Sequence, residues 1–79
     1  MSKKEVYATV AAILTTLLET DAPAPESSIY LAMGMDMEKY EAIRSLMVAL
    51  ELITVQSYTI RLTDKGRKTA EACNAALAG

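Results

Sequence analysis

A chain of 79 residues has room for one small domain around one apolar core, and 52% of it is hydrophobic. With no histidine it offers no imidazole base and no His-bearing metal site, and its single cysteine, Cys73, excludes an internal disulfide and fits a reducing compartment. The net charge of −2 points away from bulk attraction to nucleic acid.

Val6, Tyr7, Val10, Ile13, Leu14, Leu17 and Leu18 recur at steps of three and four, which predicts a first helix from about Lys3 to Thr20. Lys3-Lys4, the apolar run to Leu18 and Ala22-Pro23-Ala24 loosely imitate a secretory signal. Glu5, Thr9, Thr15 and Thr16 interrupt that run, and Glu19 and Asp21 would crowd the cleavage site. The segment is therefore read as part of the fold, and the protein as cytoplasmic. The run falls short of the roughly 20 residues that span a bilayer, so no membrane contact is expected.

Asp21-Ala22-Pro23-Ala24-Pro25 reads as a stiff connector, with Pro25 as the first residue of a second helix and Glu26 at its positive end. Ile29, Tyr30 and Met33 give that helix a buried side, and Gly34 suits the left-handed position that ends it. Asp36 should cap a third helix, with Met35 and Tyr40 placed as a hydrophobic staple. Tyr40, Ile43, Leu46, Met47 and Leu50 form its core stripe, and Leu46 is expected to be fully buried. Ile53 to Leu62 alternates like a hairpin, with Gln56-Ser57 at its turn. Thr63 should cap a fourth helix, Asp64 to about Leu77, whose apolar side carries Gly66, Thr69, Ala70, Cys73 and Leu77. Cys73 is read as a packed thiol.

Ile29-Tyr30-Leu31-Ala32, the run from Leu46 to Ile53, and Tyr58-Thr59-Ile60-Arg61-Leu62-Thr63-Asp64-Lys65-Gly66 together resemble the winged helix-turn-helix superfamily. The resemblance implies a mainly α fold with a minor β part, spanning residues 1–79: a three-helix core, a short hairpin wing and a C-terminal helix. It implies a small DNA-binding transcriptional regulator, with the third helix for recognition and the hairpin as the wing. Lys39, Arg44, Arg61, Lys65, Arg67 and Lys68 are then the candidate nucleic-acid contacts.

Charge supports an alternative. From Glu19 to Glu51 the chain carries seven acids against Lys39 and Arg44, on the unit that would have to meet phosphate. The exposed side of the third helix should hold Met37, Glu38, Glu41, Arg44, Ser45 and Val48. Two apolar residues among acids suit a partner protein, so the alternative is an acidic interaction or inhibitory module that keeps the fold without binding DNA.

Catalysis is not expected. The acids are spread along helix surfaces, a lone Cys has no His beside it, and Gly34, Gly66 and Gly79 make no phosphate loop. No cofactor is implied. The apolar stripe of the first helix, together with Ala72, Ala75, Ala76 and Leu77 of the fourth, predicts a homodimer through those two helices.

Overall fold

The computed structural model of the chain describes residues 2–20 and 23–78. Its elements are α1 (Lys3–Thr20), β1 (Ala24–Pro25), α2 (Glu26–Met33), α3 (Met37–Ala49), β2 (Ile53–Gln56), β3 (Thr59–Leu62) and α4 (Asp64–Ala78). The fold is mainly helical, with a small antiparallel sheet in the order β1-β3-β2. No helix among the described residues is long and apolar enough to cross a membrane.

Local chemistry explains the helix ends. Ser2 Oγ accepts from the Glu5 N–H at 3.2 Å, and Asp36 Oδ1 accepts from the Lys39 N–H at 2.8 Å. Thr63 Oγ1 accepts from the Gly66 N–H at 2.9 Å and donates to the Glu51 carbonyl at 2.6 Å, so one hydroxyl starts α4 and ties it to the end of α3. Both α2 and α3 finish on a residue at positive φ whose neighbours bond back into the last turn. After α2 it is Gly34, φ 65°, with the Met35 N–H reaching the Tyr30 carbonyl at 3.0 Å. After α3 it is Glu51, φ 61°, with the Leu52 N–H reaching the Met47 carbonyl at 2.9 Å.

The core is one cluster. Val10, Ile13, Leu14 and Leu17 of α1 meet Ile29 of α2, Tyr40, Ile43 and Met47 of α3, Ile53 and Ile60 of the sheet, and Ala70 of α4. Burial of this apolar surface is the main driving force for the fold. α1 lies chiefly against α4 within the same chain, so the stripe expected to pair two copies is largely consumed internally. Gly66 is required where α4 crosses the hairpin's start, because a Cβ there would run into the Leu52 carbonyl oxygen.

Several expectations need correction. Ala24-Pro25 is not just a connector: it pairs with Ile60 and Thr59 as an edge strand, a place that tolerates a proline, and α2 starts one residue later, at Glu26. Asp21 and Ala22 of that connector lie outside the described residues. The hairpin turn is Ser57-Tyr58, not Gln56-Ser57, because Gln56 pairs with Thr59. Leu46 is half-buried and Met47 takes the fully buried place; Leu50, at the end of α3, is exposed. On α1, Tyr7 points outward. The α4 expectations are not overturned: Cys73 is half-buried and Ala72, Ala75 and Ala76 are exposed, while the Leu77 side chain lies outside the described ones.

Candidate functional site

A cluster of bonded side chains joins α2 to α3. Glu26, the first residue of α2, is 7% exposed. Its Oε1 accepts from the Tyr40 hydroxyl at 3.0 Å and from Arg44 Nη1 at 3.1 Å. Tyr40 and Arg44 stand one turn apart on α3, so both reach the same carboxylate. The Arg44 guanidinium lies 5.9 Å from the centre of the Tyr40 ring, and the Tyr30 ring packs beside it at 5.3 Å. Burial, and then the hydrogen bond to Glu26, push the Tyr40 hydroxyl above the ordinary tyrosine range, which keeps it a donor. The Glu26 hydrogen bond also holds the Arg44 guanidinium above its usual value, against the opposing effect of burial.

The hairpin tip closes this junction from the other side. The Tyr58 carbonyl accepts from the Glu26 N–H at 2.9 Å. Ser57 and Tyr58 both have positive φ, 52° and 62°, which gives a two-residue turn matched to the strand twist but usually built with Asn and Gly. The Tyr58 side chain is 83% exposed. Between it and α3 lies a groove of about 360 Å³ lined by Pro25, Tyr30, Met37, Glu41 and the Glu26–Tyr40–Arg44 junction.

The outer row of α3 is continuous. Met37, Glu38, Glu41, Ser45 and Val48 are exposed, Met37 at 50% and Val48 at 45%. Arg44, expected on the same face, is half-buried and committed to Glu26. The remaining charges on this row are therefore acidic.

The other predicted nucleic-acid contacts occupy separate places. Lys39 turns toward α1, where it lines a groove with Ala8, Ala12 and Met35. Arg61 stands on the outer face of the sheet, in a shallow polar hollow with Thr54, Gln56, Ser57 and Thr59. Lys65, Arg67 and Lys68 are exposed on the first turns of α4. Among the described residues no group of three or more Cys, Asp or Glu is placed to hold a metal ion.

Two members of the site were not singled out in the sequence. Glu26 reads there as the acid at the positive end of the second helix, yet it is buried under Arg44. The signal was present in α3: a core tyrosine followed four residues on by an arginine calls for an acid within reach. Tyr58 reads as a strand residue. Pairing apolar Ile53 with apolar Leu62 centres the turn on Ser57-Tyr58 and exposes the ring. No protein-family model matches the chain, and no curated protein or solved structure matches it significantly.

Proposed function

We propose that the chain is a small, non-enzymatic winged-helix protein whose α3 face binds a partner protein rather than duplex DNA. The order helix, strand, helix, helix, strand, strand, helix, with β3 between β1 and β2, supports the winged-helix reading. The observation that carries the functional reading is the commitment of Arg44 to Glu26. One cation, Arg44, then faces both Glu26 and Glu41, so the outer row of α3, with Glu38 as well, keeps a net negative charge beside exposed Met37 and Val48. Phosphate neutralisation dominates DNA affinity, and such a face repels phosphate. Exposed apolar residues rimmed by charge suit a protein surface. Fluorescence anisotropy against random duplex DNA at low salt tests this: the reading expects no saturation at tens of micromolar protein, and saturation overturns it.

A second reading has its own support. Arg61 amid three hydroxyls and an amide makes a surface of hydrogen-bond donors suited to phosphate oxygens. With Lys65 and Lys68 it would serve a DNA-binding regulator that docks through the hairpin and α4. In that case Arg61→Ala with Lys68→Ala should weaken binding and flatten its salt dependence by about one unit per lost phosphate contact.

A further inference from the structure

We infer that the groove between Tyr58 and α3 takes one apolar side chain of a partner segment whose flanking residues are lysine or arginine. This rests on the reading of α3 as a protein-binding face and names the chemistry of the occupant. The groove, about 360 Å³, has aromatic and thioether walls from Tyr30, Met37 and Tyr58, and two of those three side chains are at least half exposed. An apolar side chain seated there removes that surface from water.

Charge selects what flanks the anchor. Glu41 lies in the groove wall, and Glu38 stands nearby on the same helix. The Arg44 charge is offset by Glu26, so the rim is negative overall. A basic flank complements it, and an acidic one is repelled by the excess of Glu26, Glu38 and Glu41 over Arg44. Tyr58 adds an independent sign of use. A bulky aromatic stands at positive φ in a turn where glycine would be unstrained, and its ring is held in solvent beside the groove.

The test is a two-dimensional amide NMR titration of the full chain with three synthetic probes: a short amphipathic leucine–lysine peptide, its leucine–glutamate counterpart and a serine–lysine control. The leucine–lysine peptide should perturb the amides of Tyr30, Met37, Glu41 and Tyr58. Tyr58→Ser and Met37→Ser should each weaken it about ten-fold or more, with circular dichroism confirming that both variants are folded. Glu41→Gln should weaken it less and reduce its salt dependence. The inference is overturned if this peptide leaves those amides unmoved at millimolar concentration. It is also overturned if the serine–lysine control binds equally, or if the shifts appear on concentrating the protein alone, which would make a second copy the occupant. Occupation by the leucine–glutamate peptide instead would overturn the basic occupant while leaving α3 a protein face. Perturbation of α3 by random duplex DNA would overturn both.

Discussion

Arg44 reaches from α3 to the carboxylate of Glu26 at the first residue of α2, Nη1 to Oε1 at 3.1 Å. The contact joins two helices across a short turn, and it commits the basic residue of the outer α3 row to an internal partner. Structure and proposed function meet in this pair.

Arg44→Met leaves a nearly buried Glu26 with Tyr40 as its remaining side-chain partner. The variant should lose about 1–3 kcal/mol. Glu26→Gln combined with Arg44→Met should cost less than the two single changes added together, because each already removes the same ion pair. Urea denaturation of the four proteins measures this coupling. Strict additivity would show that the pair contributes nothing to stability.

Tyr40 gives a pH dependence with a definite sign. Its pKa in the folded protein lies above the ordinary value of 10.0, so folding favours the protonated hydroxyl. The associated stability is fully present below pH 10.0 and is lost as pH rises above it, because the unfolded chain then releases a proton that the folded one keeps. Melts between neutral pH and strongly alkaline pH should show a steeper loss for the wild type than for Tyr40→Phe. Parallel curves would contradict the assignment.

Non-glycine residues at positive φ carry left-handed backbone strain that glycine would relieve. Tyr58 and Glu51 hold positive φ without being glycine. Tyr58→Gly and Glu51→Gly should each raise stability by about 0.5–1 kcal/mol, the relief of left-handed strain less the added freedom of the unfolded chain. Glu51→Ala, which keeps the strain, should not. Tyr58→Gly should gain stability while losing peptide affinity, and a variant that keeps full affinity would remove the ring from the binding account.

Core burial separates two neighbours on α3. Met47 is fully buried and Leu46 is not. Met47→Ala should cost about 2–5 kcal/mol, and Leu46→Ala clearly less. Thermal melts that reverse this order would mean that the helix is rotated from its observed setting.

The four helices and the hairpin were legible because their apolar periods and end signals agree. Asp36, Thr63 and Gly34 each mark a boundary through a side chain or backbone property that acts locally. β1 was not legible, since two residues carry no period and Ala24-Pro25 becomes a strand through its pairing with β3. Leu46 and Met47 are adjacent and both apolar, so a small rotation of α3 decides which is buried. For the candidate site, the outer row of α3 followed from helical spacing. The engagement of Arg44 did not, because its acid lies 18 residues away on another helix. The place of Tyr58 depended on hairpin register, which a turn without Gly or Asn does not announce.

α3 should not read DNA. Amide NMR of the full chain titrated with random duplex DNA at low salt tests it residue by residue. The amides of Glu38, Glu41, Ser45 and Val48 should stay in place, as should those of the hairpin and α4; a saturable response confined to the hairpin's outer face and the start of α4 would favour the DNA-binding reading instead. Saturable shifts along α3 would contradict the account outright.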